Sequence, residues 1–246
     1  MSDILSVRGM SKSFGALRAI NGLSFSLGYG EILGIAGPNG SGKSTLFNIL
    51  TKNPFGPDRG DLTLDGKSLN GLSARQIVEA GLVRIFQTET DFETLTVLQN
   101  ILVAMPDADF RAGRKAAEDR AMETLAYVGL ADQHGRIASE ITVYDRKKLM
   151  IASALACRPK VLLLDEPAAG LSRPEVEEVI ELIRKINAGG VSIIVIEHII
   201  SLLVSVSQRL LVLNFGELLA LGAPQDVIRD RRVIEAYLGS AAAAHV

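Results

Sequence analysis

The chain has 246 residues, 48% of them hydrophobic and 22% charged, enough for one large domain or two small ones with a sizeable core. Its formal net charge of −2 gives no general attraction to nucleic acid, whose backbone is bound by clustered Lys and Arg. A single cysteine, Cys157, excludes an intramolecular disulfide and suits a reducing compartment; within an apolar helical run it reads as a buried, inert thiol. The N-terminus has no apolar h-region. The best membrane-spanning stretch, Val191 to Val206, is interrupted by Glu197 and His198 and is too short, so a cytosolic chain is expected.

Leu5 to Val7 and Ala19 to Leu27 alternate partially and carry turn residues at Asn21-Gly22 and Gly28 to Gly30, which predicts an antiparallel β layer. Phe14-Gly15 falls between those strands, and the ring of Phe14 suits either an adenine face or the core beside a turn. Ile32 to Ala36 is a short apolar strand that runs into Gly37-Pro38-Asn39-Gly40-Ser41-Gly42-Lys43-Ser44-Thr45 and then into a helix with Leu46, Phe47, Ile49 and Leu50 on its apolar side. Gly37 to Ser44 has the spacing G-x-x-x-x-G-K-S of a phosphate-cradling loop, and the strand before it and helix after it supply the required context. Its backbone N–H groups and the positive end of the helix would hold a polyphosphate. Lys43 would sit on the β- and γ-phosphates, and the Ser44 hydroxyl would be a Mg²⁺ ligand.

Asp61 to Asp65 reads as a strand, and Ser73 caps a short helix through Ala80 that Gly81 stops. Leu82 to Phe86 is a buried strand delivering Gln87, an amide that could hold Mg²⁺ or water or be a plain loop residue. Helices are predicted at Thr96 to Met105, Arg111 to Tyr127 and about Asp145 to Ala156, an all-helical block punctuated by Pro106 and Gly129-Leu130. Val161 to Leu164 is wholly apolar and ends in Asp165-Glu166, as in a central parallel strand whose C-terminal end faces a ligand crevice. There Asp165 would hold Mg²⁺ and Glu166 would polarise the attacking water. Pro174 to Ala188 is an amphipathic helix, and Val191 to Ile196 a second buried strand ending at Glu197-His198. His198 could reach a γ-phosphate or be a satisfied core histidine. A hairpin turns at Phe215-Gly216, short helices start at Pro224 and Arg231, and Ala241 to Ala244 with His245 is expected to fray, leaving residues 1–240 as one domain.

In order, the Gly37 loop, Gln87, the Asp165-Glu166 strand and Glu197-His198 resemble the ATP-binding cassette proteins over nearly the whole chain. The resemblance implies an α/β P-loop NTPase, a RecA-like core with an antiparallel β subdomain and an inserted α-helical subdomain, here at about 88–157. It implies adenine stacking at Phe14, phosphate and Mg²⁺ contacts at Lys43 and Ser44, water or metal sensing at Gln87, the metal-binding acid at Asp165, the general base at Glu166 and the switch histidine at His198. Arg84 to Gln87, Thr96 to Asn100, Asp165 to Leu171, Ile196 to His198 and Ala236-Tyr237-Leu238-Gly239 are similar to the subgroup that energises bacterial uptake of branched-chain amino acids. Such a chain uses ATP and Mg²⁺, pairs with a second ATPase subunit, and rides on the cytoplasmic face of the membrane beneath two permease subunits fed by an extracytoplasmic substrate-binding protein. Thr88 to Phe92 would be part of the permease contact.

One departure stands out. Ile141-Thr142-Val143-Tyr144-Asp145 occupies the place of the family signature L-S-G-G-Q. Tyr144 is expected to obstruct the approach of backbone to the γ-phosphate on the partner chain, and Asp145 to add negative charge there. Each lost donor costs on the order of 1–3 kcal/mol. A homodimer would carry Tyr144 at both sites, and a heterodimer with one competent site is the expectation. A hydrolysis-impaired regulatory subunit and a non-transport cassette are the alternatives; no Asn-Lys-x-Asp guanine-reading motif occurs.

Overall fold

The computed structural model describes residues 3–86 and 91–243, without the side chains of 238–243. Gln87, Thr88 to Thr90, Ala244 and His245 lie outside the described residues. The chain opens with β1 (Asp3–Phe14) and β2 (Leu17–Gly28), a long hairpin whose register shifts several times. Asn21-Gly22, expected to be a turn, lies inside β2; the positive φ of Gly22 is absorbed within the strand.

There follow β3 (Ile32–Ala36), α1 (Lys43–Thr51), β4 (Arg59–Leu64), the two-residue β5 (Lys67–Ser68), α2 (Ala74–Ala80) and β6 (Leu82–Ile85). Ser73 caps α2 in a capping box with Gln76, and Gly81 ends it in the left-handed region. The helical block is α3 (Val97–Ala104), α4 (Arg114–Tyr127) and α5 (Val143–Ala156). The helix expected from Arg111 starts later because Gly113, at φ 97°, separates it from a 3₁₀ turn over Asp107–Ala112. Buried Asp109 ties that turn to Arg120 and Arg158. Then come β7 (Val161–Asp165), α6 (Arg173–Ala188), β8 (Ser192–Ile196), α7 (Ile200–Val206), β9 (Arg209–Asn214), β10 (Glu217–Gly222), α8 (Pro224–Val227) and α9 (Arg231–Ala243). α9 runs beyond Ala241, where fraying was expected.

β2-β1-β4-β5 form an antiparallel sheet; β10-β9-β3-β8-β7-β6 form a second sheet, parallel from β9 to β6 with β10 antiparallel on its edge. The expected α/β core, β layer and helical insertion are therefore present. Central strands are buried on both faces. Leu33, Ile35, Leu163, Ile194 and Ile196 face α1 and the antiparallel layer, whereas Ile32, Ala36, Leu162, Leu164, Ile193 and Val195 face the second core. That second core continues into the helical block through Val97, Ile101, Leu125 and Leu149, so the insertion is packed on the sheet rather than tethered to it. No helix among the described residues is long and apolar enough to cross a membrane.

Candidate functional site

β3 is followed by Gly37, where a Cβ would lie 2.3 Å from the Leu213 carbonyl oxygen, so only glycine lets the loop leave the strand at this angle. The loop closes on Gly42, at φ 105° the N-cap of α1, and no side chain caps the N–H groups of the first turn. Those donors and the helix dipole are available to an anion. Lys43 is almost buried and its Nζ donates to the carbonyls of Gly37, 2.7 Å, and Pro38, 3.0 Å. Burial holds its pKa below the ordinary lysine value, against Glu166 and Asp165, which raise it. Asn39, Gly40, Ser41, Gly42, Lys43, Ser44 and Thr45 line a cleft of about 730 Å³, and Glu166, His198 and Phe14 line the same cleft. The buried Ser41 hydroxyl oxygen has no hydrogen-bond partner there.

Parallel strands β7 and β8 bring Glu166 and His198 to this cleft and place Asp165 within electrostatic reach of Lys43. Asp165 is 3% exposed, and its Oδ2 accepts from Arg84 Nη2 at 2.6 Å. Its Oδ1 is buried with no partner, the condition of an oxygen that fits a cation. Burial pushes the Asp165 carboxyl above its ordinary range, against the pull of Arg84. Arg84 is clamped: Nη1 donates to Asn48 Oδ1 at 2.6 Å, and the guanidinium lies over the rings of Phe86, 4.6 Å, and Phe47, 5.5 Å. A lone cation in the apolar run of β6 was the available signal, since a buried guanidinium demands a buried anion.

Glu166 sits at φ 51°, an uncommon backbone state for a side chain of this size, with its N–H donating to Ile196 O at 2.9 Å. This bend turns its carboxylate so that Oε1 lies 2.7 Å from His198 Nε2. Glu197 points the other way and is 2% exposed; its Oε1 accepts the Ala168 N–H at 2.8 Å and its Oε2 the His198 N–H at 3.1 Å. Burial pushes its pKa up, against those backbone donors. Glu197 thus fastens the loop after β7 to the end of β8, a positioning contact that the pair Glu197-His198 did not disclose in the sequence.

Phe14 is neither buried nor isolated. It meets Phe55 edge to face, with centroids 5.0 Å apart at 77°, and Lys12 Nζ lies 5.4 Å from each ring. Behind the loop, burial raises the pKa of Tyr237 on α9, against a hydrogen bond from the Gly37 backbone, which lowers it.

Thr142 to Asp145 do not line this cleft. Thr142 is the N-cap of α5, and its Oγ1 accepts the Asp145 N–H at 3.1 Å. Asp145 accepts from Lys148 Nζ at 2.7 Å and Gln133 Nε2 at 2.9 Å. Tyr144, expected to obstruct the approach to a partner chain's γ-phosphate, makes these contacts within its own chain. Its ring lies beside Lys148, with Nζ 4.4 Å from the centroid, and its hydroxyl donates to Glu178 on α6 at 2.5 Å. A partner for the phenol across the interhelical gap draws the ring along the helix flank.

On another side, a groove of about 350 Å³ lies among α2, β6, α3 and α5, with Arg84, Asp91, Phe92, Val103 and Cys157 in its lining. Phe92 and Val103 are more than half exposed. Cys157, at the C-terminal end of α5, is half-buried, and burial raises its pKa, in keeping with an unreactive thiol.

A family model described as ABC transporter matches residues 20–169. The chain belongs to the ABC transporter family. A second model, branched-chain amino acid ATP-binding cassette transporter, matches residues 217–243 of this ABC ATPase. It is 38% identical, over 97% of its length and 98% of the relative's, to the high-affinity branched-chain amino acid transport ATP-binding protein LivG of Salmonella typhimurium. It is 36% identical, over 97% and 98%, to the corresponding BraF of Pseudomonas aeruginosa. A solved ATP-binding cassette of an ABC transporter, MJ1267 in its ADP conformation, superposes with a TM-score of 0.87 at 27% identity, covering 97% of this chain and 100% of that one.

Proposed function

We propose that this chain is the ATP-hydrolysing subunit of an importer for branched-chain or related amino acids. The observation that carries the hydrolytic part is the meeting of the uncapped α1 terminus, Lys43, Glu166 and His198 in one cleft. The transport part rests on the relatives that match along the whole chain and on the C-terminal match at residues 217–243.

In this reading the backbone from Gly37 to Thr45 and the Lys43 ammonium hold the phosphates of ATP. Phe14 meets the adenine. Ser44, Asp165 and Gln87 would hold Mg²⁺, for which the unpartnered Oδ1 of Asp165 is suited; the ion when bound offsets phosphate charge. Water attacks the γ-phosphorus as the bond to the bridging oxygen breaks, and ADP leaves with that electron pair. Glu166 takes the proton of the attacking water. His198, hydrogen-bonded to Glu166, holds the carboxylate toward the cleft, and Glu197 holds the backbone of His198.

Two cassettes pair so that each ATP lies between one chain's loop and the other's α5, and closure on ATP followed by reopening on hydrolysis shifts the permease between two access states. The groove bearing Phe92 and Val103 takes the permease at the cytoplasmic face. Asp145 with its three partners favours a heterodimer in which this chain's loop is served by a partner with an open helix terminus.

Steady-state ATPase of the purified chain, alone and mixed with its co-purified cassette partner, tests this. Hydrolysis that appears only in the mixture and is abolished by Glu166→Gln supports the heterodimer. Full activity of the chain alone overturns the heterodimer but leaves the ATPase standing, and failure to co-purify with a hydrophobic permease overturns the transport role.

A further inference from the structure

The turn between β9 and β10 places Phe215 against the nucleotide cleft in an unusual state. Its ring is 82% exposed, more than any other large hydrophobic among the described residues, and its backbone sits at φ 46°, a region that bulky side chains avoid. A plain hairpin turn has no need of either property: Asn or Gly would relax the backbone, and a polar residue would suit water. The turn is nevertheless held firmly. Gly216 N–H donates to the Ser41 carbonyl of the phosphate loop at 2.9 Å, and the Asn21 N–H of β2 donates to the Gly216 carbonyl at 2.9 Å. A Cβ on Gly216 would lie 2.6 Å from the Ala19 carbonyl oxygen, so the turn, the loop and β2 are in close contact at this point. Asn21 Nδ2 adds a bond to Glu217 Oε1 at 2.6 Å.

Phe215 lines the cleft together with Phe14, Leu17, Arg18 and the phosphate loop. Leu17 and Arg18 precede the stretch of β2 to which the turn is fastened, and with Phe14 and Phe215 they line the cleft beside the phosphate loop. We propose that Phe215 is a second aromatic contact for the nucleoside, its ring covered by the base and ribose of the nucleotide whose phosphates lie on the loop. The assignment rests on the reading of the cleft as an ATP site and adds a specificity-determining residue to it. The apolar surface of the ring then leaves water when nucleotide enters, and the hydrogen bonds of Gly216 fix its position relative to Ser41 before binding.

The test measures ADP and tripolyphosphate binding by calorimetry, with Mg²⁺, on the full chain and its Phe215 variants; tripolyphosphate has no nucleoside. Phe215→Ala weakens ADP about tenfold, the scale of an aromatic–base contact, and leaves tripolyphosphate unchanged. Phe215→Tyr retains ADP affinity. Phe215→Gly relieves the positive φ, so it melts no lower than the parent without nucleotide and yet loses ADP affinity as Phe215→Ala does. Unchanged ADP affinity in Phe215→Ala overturns the proposal. So does an equal loss for ADP and tripolyphosphate, which would make the turn a support for the loop. Wild-type chain that binds neither probe overturns the ATP reading itself, whereas binding of both with no effect at Phe215 overturns the present inference alone.

Discussion

Helices α1 and α5 both begin with a turn whose backbone N–H groups lack intrahelical acceptors, and the chain treats the two differently. At α1 the cap is Gly42, there is no acidic residue in the first turn, and the donors open into the cleft with Lys43. At α5 the cap is Thr142, whose oxygen takes the Asp145 N–H, and Asp145 places a carboxylate in the first turn. Against burial, which raises it, hydrogen bonds from Lys148, Gln133 and Thr142 hold the Asp145 pKa below its ordinary value, so the charge persists at neutral pH. One helix terminus thus waits for an anion from outside. The other already has one of its own. A helix dipole alone does not make a phosphate site; what matters is whether the chain has left it unsatisfied.

The contrast can be broken first at the open site. Glu166→Gln is expected to lower kcat for ATP hydrolysis by about 10²–10⁴ while ATP still binds, because the loop and Lys43 are untouched; rate and binding measured together check this, and equal loss of both would assign Glu166 to binding. Next comes the support of that site. Arg84→Ala leaves the Asp165 carboxyl buried without its cation and should lower the unfolding free energy by about 3–5 kcal/mol, read from denaturant melts. A loss below about 1 kcal/mol would mean that water replaces the guanidinium.

Opening the closed terminus is the third step. Tyr144→Gly combined with Asp145→Gln should raise the steady-state ATPase of the chain alone roughly 10–10²-fold, the effect of returning one or two backbone donors. An unchanged rate would show that α5 does not limit turnover. The smallest effect is on pH. The folded pKa of Glu197 is raised above its usual 4.5, so the stability it confers is full below that value and is lost as pH rises from 4.5 through the folded pKa. Melting temperatures taken from acidic to neutral pH should decline less in Glu197→Gln than in the parent, and parallel curves would remove Glu197 from the balance.

The same contrast explains what could be read from the sequence. The open terminus was legible because its signals are consecutive: strand, glycines, Lys43, helix. β7 and β8 were legible because strands buried on both faces are continuous apolar runs, here stopped by Asp165 and Glu197. Arg84 with Asp165 was not, since the partners are 81 positions apart and meet only when β6 lies beside β7. The course of Tyr144 depended on Glu178, supplied by α6. The helix over Ile200–Val206 was hidden by its continuity with the apolar strand before it, and the exposed state of Phe215 followed from a turn fastened to two distant segments.

Arg84 belongs to two surfaces at once. Its side chain helps to line the groove bearing Phe92 and Val103, and its Nη2 is the counter-ion of Asp165 beside the cleft. Stacked on two rings and bonded to Asn48, it has little freedom to serve one without affecting the other. Thermodynamic reciprocity then applies: any factor by which a protein seated in the groove changes nucleotide affinity through this guanidinium is the factor by which nucleotide changes the grip on that protein. Under that linkage a graded series at position 84 is expected to change the two coupling factors by equal ratios.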